Sequence, residues 1–264
     1  MFKTLLIIGS SGFIGKSIID YLKKNTSLSK KFNKLILLSK SKKNKIPKLL
    51  ERKYKVIQIL ADIKKIKKIP ISDFIIYSAI SKNIDQDPQC IKNFCKLIKK
   101  YKNRCSVLYI SSGAVYGKNT DKIKDKENKK ITIDSINKLM GYKKEYAKEK
   151  IFIENKFIEL GKKNYDVSIA RCYTFIGKNI LKYNFAISSL INDSVKKKNI
   201  TLNTSMNVYR SYMHSDDMVK WLIQILKNSS NECPIYNLGS DRTINLRTLT
   251  KNIAVKVRKK PLYL

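Results

Sequence analysis

The amino-acid sequence predicts an α/β protein, built on a doubly wound parallel sheet and followed by a smaller C-terminal lobe. Continuous apolar runs of strand length alternate with segments whose apolar residues recur at helical spacing. That alternation is typical of a parallel sheet covered by helices on both faces. The periodicity changes after Arg171, where short separate segments begin. We therefore assign residues 1–171 to the sheet domain and residues 172–264 to the lobe.

The first strand, glycine turn and helix form the unit on which this prediction depends most. The buried-strand pattern Leu5–Ile8 leads directly into a glycine-rich turn, and residues 16–22 continue with helical spacing. This order is how Rossmann-type domains bind the pyrophosphate of a dinucleotide, at the positive end of a helix dipole. The residues predicted to contact the cofactor here are Gly9, Ser11, Gly12, Phe13, Ile14 and Gly15. Gly9 would permit the turn, Gly12 the approach of the phosphates, and Gly15 close packing of helix on strand.

The other elements are predicted from the same patterns. Further strands are expected at Lys34–Ser39, Lys55–Leu60, Asp73–Ser78, Ser106–Ile110 and Val167–Arg171. Helices are expected at Pro88–Tyr101, from Gly141 through Ile158, and at Leu246–Val255. The lobe is expected to contain short segments around Ile180–Val195, Ile200–Leu202, Tyr209–Met213 and Met218–Leu226, and an extended piece at Tyr236–Gly239.

The end of the second strand indicates which dinucleotide is bound. NAD enzymes usually place an acidic residue there to bind the ribose hydroxyls. This chain has Ser39 and Lys40 instead, within the segment 39–43, and hydroxyl and ammonium groups suit a 2′-phosphate. We therefore expect NADP, with NAD as the alternative. Asp62 would either hydrogen-bond the adenine or cap the next short helix. Further cofactor contacts are predicted at Ile63, Ser78 and Ala79.

Composition narrows the class of protein. The formal net charge is +36, but only seven of the basic residues are arginines and the lysines are spread over almost every segment. That spread indicates a compositional bias, so we expect no specific nucleic-acid partner. No apolar run approaches the roughly 20 residues needed to cross a bilayer. Because Met1–Thr4 leads straight into the first strand, we expect no cleaved signal peptide and a cytoplasmic location.

Cysteine and histidine usage argues against two other kinds of site. The five cysteines are scattered without a C-x-x-C pair, which predicts reduced, buried thiols and no disulfide framework. His214 is the only histidine, so we expect it to be structural and predict no metal site.

A second motif carries acid–base chemistry. Tyr146 and Lys150 lie one helical turn apart and share a face of the predicted helix. An adjacent ammonium favours the phenolate, so Lys150 and a positive nicotinamide ring would lower the pKa of Tyr146 from its ordinary value of roughly 10. Tyr142 has the same spacing from Tyr146 but no lysine four residues on.

These motifs occur in one order along the chain. They are Gly9-x-x-Gly12-x-x-Gly15, Ser111-Ser112-x-x-Val115-Tyr116-Gly117, Tyr146-x-x-x-Lys150 with Glu154 beyond it, Arg171, Arg210-Ser211-Tyr212-Met213-His214-x-Asp216-Asp217, and Tyr236-Asn237-Leu238-Gly239-Ser240. Together they resemble the extended short-chain dehydrogenase/reductases, specifically the NAD(P)-dependent sugar-nucleotide epimerase/dehydratase group. The resemblance covers about Lys3 to Val255.

The resemblance implies roles for particular residues. Ser112, Tyr146 and Lys150 would be catalytic, with Tyr146 exchanging a proton while hydride moves between a sugar carbon and the cofactor. Lys150 would also hold the nicotinamide ribose. The residues expected to bind the nucleotide-sugar substrate are Ser112, Tyr146, Thr174 and Arg210. The guanidinium of Arg210 suits a diphosphate.

Two departures from the family pattern refine the expected activity. Gly113-Ala114 stand where the family's dehydratases commonly carry Asp-Glu, which disfavours dehydration. Thr174 stands where many of its epimerases carry asparagine. We therefore expect a sugar-nucleotide epimerase or ketoreductase, with a homodimer left open as its assembly. The alternative is a non-catalytic NAD(P)-binding protein that senses redox state.

Overall fold

The computed structural model describes residues 3–40, 44–81, 86–100, 104–117, 125–180, 186–196, 200–202, 208–257 and 261–263. The chain divides into two compact units. The first comprises residues 1–172 and 219–238, and the second comprises residues 173–218 and 239–264. The predicted helix Pro88–Tyr101 and the predicted segment Ile180–Val195 each include residues outside the described ones, namely Tyr101 and residues 181–185.

The elements follow in chain order. The strands are β1 (Thr4–Ile8), β2 (Lys34–Ser39), β3 (Lys55–Leu60), β4 (Phe74–Tyr77), β5 (Ser106–Ser112), β6 (Asp166–Cys172), β7 (Phe175–Ile176), β8 (Ile200–Leu202), β9 (Tyr209–Ser211), β10 (Met213–His214), β11 (Ile235–Leu238), β12 (Thr243–Asn245) and β13 (Pro261–Tyr263). The helices are α1 (Phe13–Lys24), α2 (Lys48–Glu51), α3 (Asp87–Ile98), α4 (Ile133–Asn137), α5 (Tyr142–Gly161), α6 (Ala186–Val195), α7 (Ser215–Lys227) and α8 (Leu246–Lys256). Short 3-10 turns lie at Thr26–Lys30 and Gly113–Tyr116.

The first unit is built on a seven-stranded parallel sheet with the order β11-β6-β5-β4-β1-β2-β3. This is the doubly wound, Rossmann-type topology that the sequence predicts. From β1 the chain moves outward to β2 and β3, then crosses back to β4 on the other side of β1. The order reverses at this point, and the glycine turn follows β1 directly. Ligands of such sheets bind at the carboxyl ends of the strands beside this reversal.

The core explains why these segments form strands. The four residues Leu5–Ile8 are fully buried, and the runs in β2, β4 and β5 are buried almost throughout. Strands covered on both faces read as continuous apolar runs, which is why the sequence identifies them. Tyr77, Phe94, Tyr109 and Phe157 form an aromatic cluster between the sheet, α3 and α5, with the rings of Tyr109 and Phe157 stacked at 4.7 Å.

The last strand of the sheet changes the domain division. The sequence assigned all of residues 172–264 to the lobe, but residues 219–238 belong to the first unit. The cause is β11, which pairs in parallel with β6, with Ile235 opposite Ile169 and Leu238 opposite Cys172. The first unit therefore draws on two separate parts of the chain.

The second unit contains short paired segments, as the change in periodicity predicts. β7 pairs with β10, β9 with β12, and β8 with β13. A small core of Leu190, Ile200 and Ala254 joins α6, β8 and α8. Among the helices of the described residues, none combines the length and apolar character that crossing a bilayer requires.

Two glycines with positive φ allow a matched test of the fold. Gly9 has φ +89°, and a Cβ there would lie 2.6 Å from the Ala79 backbone nitrogen. Gly141 has φ +52°, and a Cβ there would meet nothing within 4 Å in the described part of the chain. Gly141 has ψ −137° as well, a backbone conformation that residues with a side chain rarely adopt, so we expect Gly141→Ala to cost about 1–3 kcal/mol of unfolding free energy from backbone strain alone. Gly9→Ala should cost more, since overpacking adds about 1–3 kcal/mol. Urea denaturation measures both, and equal losses would contradict the close approach at Gly9.

Candidate functional site

The glycine turn after β1 has the geometry of a tight cradle. The Gly9 N–H donates to the Leu38 carbonyl at 2.9 Å, and the Gly12 N–H donates to the Gly9 carbonyl at 3.0 Å. A Cβ at Gly15 would lie 2.5 Å from the Cα of Ser10. The close packing expected at Gly15 is therefore made by the first turn of α1 against the glycine turn itself. Any side chain at Gly9 or Gly15 would displace backbone.

The start of α1 is suited to an anion. Within the described residues, no side chain caps the helix at Gly12, and the first turn carries no acidic residue. The positive end of the helix dipole lies here. Ser11, Gly12, Phe13 and Ile14 are partly exposed, whereas the neighbouring Ser10 is fully buried. These are the features that favour phosphate binding at a helix start.

Two further predicted contacts lie at the ends of β4 and β1. The Ser78 hydroxyl donates to the Ile8 carbonyl at 2.9 Å, and the Ala79 backbone lies against Gly9. Both residues thus border the glycine turn. Ile63 is different: its side chain is buried in the core, and its carbonyl accepts a hydrogen bond from Asn93 at 2.8 Å.

Of the residues expected to distinguish NADP from NAD, Lys40 forms an ion pair with Asp62. Ser39 is buried at the end of β2, and the Lys40 Nζ lies 2.9 Å from Oδ2 of Asp62. The other Asp62 oxygen accepts the Lys64 N–H at 3.0 Å, and the segment that follows is a turn where a short helix was expected. Burial acts to raise the pKa of Asp62, but the hydrogen bonds from Lys40 and Lys64 outweigh it and hold that pKa below its ordinary value. Residues 41–43 of this segment lie outside the described residues.

The structure brings Ser112, Tyr146 and Lys150 together. Ser112 ends β5, and its hydroxyl accepts the Ala114 N–H at 3.2 Å, which fixes the start of the following 3-10 turn. Tyr146 lies on α5, near enough to the Ser112 side chain for that hydroxyl to act on its pKa. Lys150 lies one helical turn further along, with its Nζ 5.4 Å from the centre of the Tyr146 ring.

Burial shifts the pKa values of Tyr146 and Lys150 in opposite directions. Burial raises the pKa of Tyr146 to about 12, although the hydrogen bond with Ser112 acts to lower it. Lys150 is only 1% exposed, and its Nζ donates to the Tyr109 hydroxyl at 3.0 Å. Burial lowers the pKa of Lys150 against the opposing charge of Asp87. The protein's own groups therefore raise the pKa of Tyr146, because removal from water outweighs the hydrogen bond with Ser112. The lowering predicted from Lys150 together with a nicotinamide ring stays a prediction.

A buried ion pair lies directly behind this group. Arg171 of β6 and Glu154 of α5 are joined by Nη2–Oε2 at 2.8 Å and Nε–Oε1 at 3.1 Å. The Ser111 hydroxyl donates to Oε1 of Glu154 at 2.5 Å. Glu154 and Arg171 are both motif residues of the sequence, but no role was predicted for either. An arginine inside a strand whose other residues are mostly buried was the signal that a buried acidic partner exists.

The ion pair extends into a hydrogen-bond network across the sheet. Nη1 of Arg171 donates to the Tyr116 hydroxyl at 2.9 Å, and that hydroxyl donates to Oδ1 of Asn237 at 2.9 Å. The backbone N–H of Asn237 donates to Oε1 of Glu127 at 2.9 Å. Its side-chain amide donates to the Asp125 carbonyl at 2.8 Å. The network therefore ties β6, β11, the 3-10 turn and the segment before α4 to one another.

The residues predicted to hold the rest of the substrate lie in the second unit. The Thr174 carbonyl accepts the Met213 N–H at 3.1 Å, beside the β7–β10 pair. Arg210 is exposed on β9, and its Nη1 donates to the Tyr209 carbonyl at 2.9 Å. Nδ1 of His214 accepts the Asp216 N–H at 3.2 Å at the start of α7, a structural role. Substrate binding by Thr174 and Arg210 remains a prediction.

Comparison with known proteins decides the family. A sequence model described as the NAD dependent epimerase/dehydratase family matches residues 5–239. The chain belongs to this family. The match runs from β1 past the end of β11, so it includes the glycine turn, the Ser112–Tyr146–Lys150 group and the buried network.

Two known proteins are similar to this chain in sequence. The bifunctional polymyxin resistance protein ArnA of Wigglesworthia glossinidia brevipalpis is 27% identical over 282 residues, which cover 95% of this chain and 41% of that protein. The chain thus spans less than half the length of that relative. The dTDP-4-dehydro-6-deoxyglucose reductase of Escherichia coli is 27% identical over 282 residues, with 97% of this chain and 82% of the enzyme covered.

Solved structures of this epimerase/dehydratase class share the fold. The dTDP-glucose 4,6-dehydratase of Bacillus anthracis, solved in complex with NAD, has a TM-score of 0.79 at 16% identity, covering 99% of this chain and 84% of that chain. The UDP-N-acetylglucosamine 4-epimerase of Methanobrevibacter ruminantium has a TM-score of 0.77 at 18% identity, covering 100% of this chain and 85% of that chain. At these identities the likeness establishes the fold.

The buried ion pair generates a stability prediction. Arg171→Met leaves the Glu154 carboxylate buried without its partner ion, so the unfolding free energy should fall by about 3–5 kcal/mol in urea denaturation. Arg104→Ala is the matched control, because Arg104 also makes a two-point contact with a carboxylate, that of Asp166, but its side chain is 85% exposed. We expect little change there.

A double variant tests the cause of that loss. Replacing both charges in Arg171→Met/Glu154→Leu should recover a large part of the lost stability, since the uncompensated buried charge is gone. A double variant no more stable than Arg171→Met would show that packing of the arginine, and not its charge, dominates.

Proposed function

We propose that this chain is an NAD(P)-dependent sugar-nucleotide epimerase or ketoreductase in which Tyr146 exchanges the proton. The observation that carries the proposal is the position of the Lys150 Nζ, 5.4 Å from the centre of the Tyr146 ring, with the Ser112 side chain near enough to act on the pKa of the same phenol. All three belong to the same unit as the glycine turn, and Ser112 lies at the carboxyl end of a central strand. Sheets of this topology bind their ligands at that edge.

The glycine turn fits a dinucleotide. A Cβ at Gly9 or Gly15 would collide with backbone, so this turn is shaped for close approach, and α1 begins without a capping side chain among the described residues. We infer that Ser11, Gly12 and the start of α1 hold the pyrophosphate and that Lys150 holds the nicotinamide ribose. The nicotinamide, when bound, supplies the acceptor and donor of hydride.

The proton chemistry follows from the protein's own residues. With a pKa near 12, Tyr146 is a neutral phenol at physiological pH. A neutral phenol can donate its proton to a sugar carbonyl oxygen as that oxygen gains negative charge. Ser112 can hydrogen-bond the same oxygen, and the buried Lys150 can favour the phenolate that remains. This state suits ketone reduction directly, and an epimerase would use the same step in one of its two half-reactions.

Elimination of water is the less suitable reaction. Gly113 and Ala114 form the 3-10 turn next to Ser112, so the two positions following the serine carry neither an acid nor a base. Dehydration of a sugar needs a further acid–base pair to remove a proton and the hydroxyl. We therefore place this chain with the family's epimerases and reductases.

The substrate class rests on charge and on the relatives. The exposed Arg210 offers a planar fork that matches a diphosphate, in a chain whose basic residues are nearly all lysine. The named relatives are a reductase of a dTDP sugar, a dehydratase of dTDP-glucose and an epimerase of a UDP sugar. We propose a nucleotide sugar as the substrate. A homodimer stays a prediction.

Replacing Tyr146 tests the reaction. Tyr146→Phe removes one oxygen, so cofactor binding should persist while turnover of the accepted nucleotide sugar falls by about 10²–10⁴-fold. The control is Tyr165→Phe, which also removes a hydrogen-bonded phenol oxygen, in this case from the Lys99 carbonyl. Absorbance of the reduced nicotinamide and chromatography of the sugars would follow a panel of nucleotide sugars. Full turnover without the Tyr146 oxygen would reject the proposal, and cofactor binding with no turnover of any sugar by the native chain would favour the redox-sensing alternative.

Cofactor choice has its own test. We propose NADP, with Lys40 released from Asp62 to bind the 2′-phosphate, although the solved relative from Bacillus anthracis holds NAD. Lys40→Ala should weaken NADPH binding by roughly 10- to 100-fold, as expected for a hydrogen bond between charged groups, and leave NADH binding unchanged. Lys64→Ala serves as the control, since only its backbone contacts Asp62. Fluorescence titration measures all affinities, and a native preference for NADH would contradict the proposal.

A further inference from the structure

Four residues of α5 lie at intervals of four and therefore share one face of the helix. They are Tyr142, Tyr146, Lys150 and Glu154. Exposure falls along the row from 67% at Tyr142 to 1% at Lys150 and 2% at Glu154. The proposed reaction uses Tyr146 and Lys150, and Glu154 holds the ion pair behind them. Tyr142, at the solvent end, has no part in what has been described so far.

Tyr142 is in direct contact with the proposed acid. The rings of Tyr142 and Tyr146 are stacked, with centroids 5.9 Å apart and planes 16° from parallel. Stacked aromatic pairs at this separation are attractive. The contact exists at the very first residue of α5, immediately after Gly141, whose positive φ sets the entry of the chain.

The stack has two consequences for Tyr146. First, it restricts tilting of the ring, and the phenol oxygen must stay within hydrogen-bond reach of Ser112 for the proposed proton transfer. Second, the Tyr142 ring covers one face of the Tyr146 ring, and the Tyr146 side chain is only partly buried. Lys150 approaches the same ring with its Nζ at 5.4 Å from the centroid. Tyr146 is thus held between two neighbours along the helix.

We propose that Tyr142 is a positioning residue for the reaction inferred above, one that orients Tyr146 and shields it from water through the ring stack. The inference rests on the proposed function for its kinetic consequence only. Tyr142 is not a second base in this account, because no lysine lies one turn beyond it to stabilise a phenolate. Its ring, and not its hydroxyl, performs the role.

The first experiment needs neither substrate nor cofactor. The full chain is treated with tetranitromethane, which nitrates accessible tyrosines, and modified peptides are identified by mass spectrometry. In the native chain we expect nitration at Tyr142 and protection of Tyr146. In Tyr142→Ala, Tyr146 should react at a rate comparable to that of the exposed Tyr209, whereas Tyr142→Phe should keep Tyr146 protected. Trp221→Ala, at an exposed aromatic residue of α7, should leave the protection unchanged.

The second experiment measures turnover and its pH profile. Tyr142→Ala should lower kcat by roughly 10-fold or more, since a small displacement of a reacting group costs up to about 10²-fold, while cofactor affinity holds. Tyr142→Phe should rescue most of that loss. The basic limb of the profile should move to lower pH in Tyr142→Ala, because uncovering Tyr146 reduces its burial. The other groups that act on Tyr146 are Ser112 and Cys172 from the sheet, Tyr109 beneath it, and Glu149 and Lys150 on α5, and they are the same in all variants.

The two experiments separate the possible failures. Protection of Tyr146 that is unchanged in Tyr142→Ala would overturn the proposal whatever the enzyme does. Loss of protection without any change in kcat or in the pH profile would also overturn it, since the ring would then shield without positioning. If the native chain turns over no nucleotide sugar, the proposed function fails, and the nitration pattern alone decides whether Tyr142 holds Tyr146.

Discussion

The buried pair of Glu154 and Arg171 is the constraint on which the rest of the site depends. Two charges withdrawn from water are tolerated only when their geometry is good and their remaining hydrogen-bonding groups are satisfied. Ser111 and Tyr116 meet that requirement here. Because each partner comes from a different element, the pair fixes α5 against β5, β6 and the 3-10 turn. Ser112 follows Ser111 directly and Lys150 precedes Glu154 by one turn, so the ion pair also fixes where these two proposed catalytic side chains lie.

Burial also shifts the pKa values of the ionisable groups along α5 at this site. Along the face of α5, burial lowers the pKa of Lys150 and raises that of Tyr146, so each group is pushed toward its neutral form. A site of this kind holds a proton on the phenol until negative charge develops on a substrate oxygen nearby. In the proposed reaction, the positions of Tyr142, Tyr146 and Lys150 along one helix would therefore determine how Tyr146 exchanges its proton.

Sequence patterns predicted the parallel sheet and paired Tyr146 with Lys150 because buried strands and helical spacing are local signals. Ser112 was added to them by the family resemblance. The pairing of β11 with β6 was not predicted, because the four residues of β11 include a tyrosine and an asparagine and because β6 lies more than 60 positions earlier in the chain. Pairing of Arg171 with Glu154, and of Lys40 with Asp62, depends on which elements become neighbours. The direction in which the protein's own groups shift the pKa of Tyr146 could not be derived either, because burial competes with hydrogen bonding and only the structure gives the balance.

During synthesis of the chain, β11 is made long after its partner strand β6. While the chain is being made, β6 emerges long before residue 238, and until then its outer edge exposes a row of unpaired N–H and C=O groups. Asn237, which closes the hydrogen-bond network beside Arg171, is missing for the same interval. The amino-terminal 172 residues therefore pass through a stage in which the sheet is open to pairing with other chains. Synthesis of the intervening segment sets how long that exposure lasts.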